Sequence, residues 1–218
     1  MDIEILYKDR FLVLCIKPAG VLSEEGGMPE LLKQQLGGEI YPVHRLDRAV
    51  SGLMLYGRTK AAAGKLSGLV SNGGLHKTYL AVVEGCPEAS SGSYKDLLFK
   101  DSAKNKSYVV KRMRKGVKEA ELNYKLLGKT EALSLVEIEL LTGRSHQIRV
   151  QFSSRHMPLA GDVKYGSKFR DCGIALYSES LSFTHPFTGK AVAFSHKPPD
   201  EYPWNIFIKK ENDNEENL

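Results

Sequence analysis

At 218 residues, with 42% hydrophobic and 26% charged side chains, the chain is long enough for one sizeable domain and excludes a polymer disordered throughout. The formal charge of +5 rises to +9 (31 basic against 22 acidic) once four acids near the C-terminus, Glu211, Asp213, Glu215 and Glu216, are set aside, so the body favours a polyanionic partner. Three separated cysteines, Cys15, Cys86 and Cys172, with no C-x-x-C pair, argue against a disulfide framework and a zinc ribbon. The start lacks a signal-peptide pattern and no apolar run approaches ~18 residues, so no membrane is expected and the cytoplasm is the expected location.

In chain order, residues 3–7 and 11–16 read as two strands joined by the polar turn Lys8-Asp9-Arg10. Residues 29–36 predict a short helix, with Pro29 at its first position and Gly37-Gly38 just past its end. Residues 53–56 predict a strand, and Thr59 can cap a helix over 60–70 that stops at Asn72-Gly73-Gly74. A strand over 78–83 holds Tyr79, and residues 87–92 form a Pro/Ser/Gly loop. Residues 100–118 carry eight Lys/Arg against one Asp, with Tyr108, Val109 and Val110 interleaved. Residues 121–127 and 133–141 alternate like an antiparallel pair. Residues 145–155 read as a helix that Ser145 can cap, and residues 181–184 and 191–195 as a hairpin across Pro186-Phe187-Thr188-Gly189. No repeat or long linker divides the chain. The expectation is one α+β domain over residues 1–208, built on a mixed, largely antiparallel sheet flanked by helices and loops, with residues 209–218 an acidic, disordered tail.

Four segments concentrate chemistry. In His44-Arg45-Leu46-Asp47-Arg48-Ala49-Val50-Ser51-Gly52, an Asp between two arginines is expected to stay ionised, as a nucleophile, base or metal ligand requires. The bland alternative is a solvated loop with surface ion pairs. In Gly143-Arg144-Ser145-His146-Gln147-Ile148-Arg149, Ile148 and Phe152 share an apolar helix face and Arg149 falls at its border. A guanidinium there needs an anion or carbonyls, so it is either functional or a structural tie. Tyr79, in Lys77-Thr78-Tyr79, would by itself be a core residue, and Lys17-Pro18-Ala19-Gly20 by itself only a turn. The six histidines show no metal-ligand spacing, and no phosphate-loop or dinucleotide fingerprint is present, so no metal or cofactor is expected.

Together and in this order, the segments resemble the RluA family of RNA pseudouridine synthases. Lys17-Pro18-Ala19-Gly20 resembles the family's first motif. His44-Arg45-Leu46-Asp47 with Ser51-Gly52 resembles its H-R-L-D-x-x-[ST]-S-G motif, with Val50 where Thr is usual. Lys77-Thr78-Tyr79 resembles K-x-Y, and residues 143–149 resemble G-R-[ST]-H-Q-[IL]-R, with Gln151 in place of a frequent His. Leu159-Ala160-Gly161-Asp162 with Tyr165-Gly166 resembles the segment that follows. The likeness runs from about residue 3 to 203.

The resemblance implies the pseudouridine synthase fold and the isomerisation of specific uridines in rRNA or tRNA, without metal or cofactor. The N1–C1′ bond breaks, the uracil turns, and C5 joins C1′. Asp47 matches the essential nucleophile, whether it attacks the sugar or promotes elimination to a glycal, Tyr79 the tyrosine that packs on the base, and Arg149 the arginine that pairs with the Asp. Arg45 matches an arginine that fills the gap left by the extruded nucleotide. His44, Lys17, Lys77, Arg144 and Ile148, in the same motifs, are expected to bind substrate. RNA is the expected partner and a monomer the expected state, with no protein partner implied. Many members carry an S4 RNA-binding domain; without one, the basic stretch 100–118 is the expected phosphate contact. The competing readings are a catalytically silent RNA-binding or chaperone protein on the same fold and a base-excising glycosylase.

Overall fold

The computed structural model describes residues 1–207, so the expectation of a disordered tail over 209–218 lies outside the described residues. The chain forms β1 (Ile5–Lys8), β2 (Leu12–Lys17), α1 (Met28–Leu36), β3 (Tyr41–Pro42), β4 (Ser51–Gly57), α2 (Lys60–Ser71), β5 (His76–Glu84) and β6 (Ser91–Asp101). It continues through β7 (Lys106–Val110), β8 (Val117–Lys129), β9 (Leu133–Leu140), α3 (Gln147–Ser153), β10 (Leu176–Thr184) and β11 (Ala191–Ser195). One eleven-stranded sheet runs β1-β2-β4-β10-β5-β9-β8-β6-β7, with β3 added to β4 and β11 to β10. All its pairings are antiparallel except β4 with β10. The expected α+β class with a mixed, largely antiparallel sheet is what the chain adopts. Among the described residues no helix is long and apolar enough to cross a membrane.

β2 and β4 are buried on both faces, which is why they read as continuous apolar runs rather than alternations. Val13, Cys15, Met54 and Tyr56 pack on one face with Met28 and Leu32 of α1 and with Ile148 and Phe152 of α3. Leu12, Leu14, Leu53 and Leu55 pack on the other face against Leu66 of α2. Tyr79 belongs to the first face, so the sheet delivers it to the side where α3 lies.

α2 starts as its sequence dictates: the Thr59 hydroxyl accepts the N–H of Ala62 at 3.1 Å. α3 does not. Ser145 is not its cap. The helix begins at Gln147 behind His146, which sits in the left-handed region at φ 54°, and no side chain caps it. The Gln147 amide instead turns back to accept the Arg144 N–H at 3.0 Å, while the Ser145 carbonyl accepts the Ser107 hydroxyl. Nor does α3 keep a polar face: residues 147 to 152 are all buried, so Arg149 lies inside the protein and not at a border.

β6 replaces part of the loop expected over 87–92 and continues to Asp101. Only Tyr94 and Leu98 along it are buried, a four-residue spacing that hides a strand. With β7 it forms a hairpin presenting the basic stretch: Lys100, Lys104, Lys111, Arg112, Arg114, Lys115 and Lys118 are all exposed.

Candidate active site

The sheet forks beside β4. β10 runs parallel to it only at Ser51 and Gly52, and β3 takes over the pairing at Tyr56 and Gly57. Gly52 makes the close approach possible. Its φ is +117°, and a Cβ there would stand 2.4 Å from the Ser178 carbonyl oxygen. Between the two pairings the Leu55 N–H donates to His44 Nε2 at 3.0 Å. The segment from His44 to Val50 therefore bridges the fork, and a turn closed by the Val50 N–H on the Asp47 carbonyl (2.9 Å) holds Asp47 over it.

Lys17 anchors this loop from behind. Its ammonium donates to the carbonyls of Pro18 (2.9 Å), Val21 (2.8 Å) and Arg48 (3.2 Å). It is 0% exposed and is not on the wall of the cavity that opens over Asp47; where the sequence reading expected a substrate contact, it ties the Lys-Pro turn to the Asp47 loop. Burial pushes its pKa down to about 8, against the pull of Asp47.

Across the fork, the α3 side chain of Arg149 links two carboxylates. Its Nη1 donates to Asp47 at 2.9 Å, while Nε and Nη2 hold Asp162 in a two-pronged pair at 2.7 and 2.8 Å. The Asp162 side chain is 1% exposed and that of Asp47 18%, so one carboxylate is structural in setting and the other faces outward. Asp162 is placed by Gly161, where a Cβ would stand 2.1 Å from the Gly173 carbonyl oxygen.

His146 completes the cluster. Its left-handed backbone puts Nε2 3.8 Å from Asp47 and Nδ1 2.9 Å from the Tyr165 hydroxyl. Burial holds the imidazole below its ordinary pKa, with Asp47 pulling the other way. Tyr165 also accepts the N–H of Ser107 at 2.8 Å, wiring the basic hairpin to the cluster. Sequence reasoning missed His146, Asp162 and Tyr165 as site residues. Their only signal was membership in motifs already noticed.

A cavity of ≈ 290 Å³ opens over Asp47, close to the lower end of the ~300–1,000 Å³ usual for small-molecule sites. Its walls include Asp47, Tyr79 and Arg149, together with His44, Arg45, Lys77, Arg144 and Ile148. Every candidate residue except Lys17 is thus brought to one place. Tyr79 is buried, its hydroxyl pKa is raised by burial first and then by the negative charge of Asp47, and the two residues line the same cavity. Arg45 stands exposed at the rim, 3.6 Å from Glu24, and Arg144 Nε donates to the Glu119 carbonyl. Val50 is buried in the core, as a residue lacking the hydroxyl of threonine can be. Among the described residues, no three His, Cys, Asp or Glu side chains group as they would to hold a metal ion.

An ion-paired carboxylate lining a nucleoside-sized cavity that an aromatic ring also lines is suited to chemistry at a sugar whose base stacks on that ring. Residues 11–154 match the profile of a family described as RNA pseudouridylate synthase. The chain is 30% identical to tRNA pseudouridine synthase C of Pasteurella multocida, covering 88% of this chain and 90% of that protein. It is 31% identical to ribosomal large subunit pseudouridine synthase D of Neisseria meningitidis, covering 92% of this chain and 59% of that one. In fold it is similar to human RNA pseudouridylate synthase domain containing 4, with a TM-score of 0.77, 24% identity, and 90% and 88% of the two chains covered.

Proposed function

The chain belongs to the RNA pseudouridylate synthase family and isomerises uridine in RNA to pseudouridine, and from this premise we propose how its residues do so. The single observation that carries the reading is the Arg149–Asp47 ion pair at 2.9 Å on the wall of the cavity that Tyr79 also lines.

The target uridine must leave its stack before its glycosidic bond is accessible, at a cost of a few kcal/mol. Phosphate contacts from the exposed cations of residues 100–118, and Arg45 at the cavity rim, offset that cost. In the cavity, the Asp47 carboxylate acts on the ribose. Attack at C1′ and proton abstraction at C2′ both need a carboxylate within reach of the sugar. Arg149 holds Asp47 in one place, and Asp162 holds Arg149. Tyr79 stacks on the uracil, and Ile148 on the same wall closes the slot, so the freed base turns instead of diffusing away. Retention is what separates this isomerase from a glycosylase.

The substrate is a structured RNA, tRNA or rRNA, in keeping with the two relatives named for those substrates. The protein acts in the cytoplasm as a monomer. The test is to treat total RNA from cells lacking the gene with the purified protein and map pseudouridine chemically. New pseudouridine at discrete sites, absent with Asp47→Asn, is the expected result. Release of free uracil, or equal product from the Asp47→Asn protein, overturns the assignment.

A further inference from the structure

The cavity holds a second buried cation, and this one has no carboxylate. Lys77 is 9% exposed. Among the described residues its ammonium makes no hydrogen bond or ion pair. It stands 3.8 Å from the point a Cβ on Gly143 would occupy, on the cavity wall. Its neighbour His44 offers no negative charge either: burial first, and the charge of Lys77 second, push that imidazole down to about 3, so it stays neutral. The other charged groups of the wall are engaged, Asp47 with Arg149, Arg45 with Glu24 and Arg144 with a backbone carbonyl. Burial of the side chain lowers its pKa, yet the ammonium nitrogen itself still reaches the cavity. A ligand that fills the cavity and brings negative charge to this wall meets an ammonium with no competing carboxylate.

The strand decides which part of the ligand that is. Lys77 and Tyr79 are two residues apart on β5 and so project from the same face, roughly 6–7 Å apart. Tyr79 and Asp47 line the same cavity, and Lys77 lines it one side-chain step along the strand from Tyr79. The phosphates that flank an everted nucleotide run out to solvent on both sides, where exposed cations such as Arg45 meet them. A cation with so little exposure faces what is inserted, which is the base.

We propose that Lys77 is a catalytic residue that stabilises the negative charge developing on the uracil ring as the N1–C1′ bond breaks. The inference rests on the synthase reading of the same site. The electron pair of the bond leaves with N1 and spreads onto O2 and O4, whether Asp47 bonds to C1′ or takes the C2′ proton as the bond breaks. The charge is withdrawn when C5 bonds to C1′, the C5 proton is lost, and N1 takes one up. Lys77 acts as a preorganised charge aimed at a transient anion, which lowers the barrier without tightening ground-state binding.

The experiment compares wild type, Lys77→Met and Lys77→Arg on an RNA fragment bearing a uridine that the wild type modifies, reading the single-turnover rate and the Kd separately. The Met variant is expected to lose about 10²–10³ in rate, with Kd within about twofold and a melting temperature no lower than that of the wild type. The Arg variant is expected to recover at least about tenfold of that loss. Replacing the target by 4-thiouridine, whose ring spreads negative charge onto sulfur, should shrink the penalty of the Met variant by about tenfold. An unchanged rate in Lys77→Met overturns the proposal. So does a parallel loss of rate and affinity that disappears when the phosphate next to the target is replaced by a neutral methylphosphonate, because Lys77 is then a phosphate contact. A wild type that forms no pseudouridine overturns the synthase reading itself, whereas an active wild type with an indifferent Lys77→Met variant overturns this inference alone.

Discussion

Two carboxylates share the Arg149 guanidinium, and replacing each by its amide separates stability from chemistry. Asp162 is 1% exposed and takes two guanidinium hydrogen bonds, at 2.7 and 2.8 Å. In Asp162→Asn the amide oxygen can accept one of them, but its NH2 group faces an N–H donor, and a buried guanidinium loses half of its counter-charge. Breaking a buried pair from one side costs about 3–5 kcal/mol, which for a domain of this size lowers the melting temperature by roughly 10 °C. Asp47 is 18% exposed and takes one bond, at 2.9 Å. Asp47→Asn leaves the Asp162 pair whole, and with solvent near it costs about 1 kcal/mol or less. Thermal and urea denaturation at pH 7, with single-turnover pseudouridine formation measured on the same preparations, test both. The expected result is a folded, inactive Asp47→Asn protein and an Asp162→Asn protein that melts far earlier. An Asp162→Asn protein melting within about 2 °C of wild type, or an Asp47→Asn protein destabilised as much as it, refutes the division of labour between the two acids.

His44 makes stability depend on pH. Its folded pKa of about 3 lies below the unfolded value near 6.5, so between these limits only the unfolded chain takes up the proton and stability falls as pH falls. The slope reaches about 1.4 kcal/mol per pH unit; urea midpoints from pH 7 to pH 4 should fall more steeply for wild type than for His44→Gln, and parallel curves would contradict this. Charge reversal at Lys111, Arg112 and Lys115, all exposed on the basic stretch, should weaken RNA binding and flatten its salt dependence by roughly 0.7 log units per lost phosphate contact on a single strand. The rate at saturating RNA should stay within about twofold, and an unchanged slope would remove the hairpin from the RNA-binding surface.

Much of this molecule was legible in local sequence. α1 and α2 announce themselves through Pro29, Thr59 and the glycines after them, because a helix end satisfies its backbone groups with residues a few positions away. The motif around Asp47 and the need of Arg149 for an anion were readable for the same reason: charge density and helical spacing are local properties. β6 was not, since it meets the core at only Tyr94 and Leu98 and takes its form from β8 and β7.

The residue types that carry the chemistry were set by sequence alone. Their assembly was decided by tertiary structure, because Asp47 and Arg149 lie 102 positions apart and meet only when the sheet forks at Gly52. Nothing local marks Lys17 as a buried tie, Asp162 as the holder of Arg149, or Lys77 as a cation without a partner. Each role depends on which groups surround a charge once water has been excluded. Desolvation and ion pairing are properties of a neighbourhood in space, and a sequence lists neighbours only along the chain.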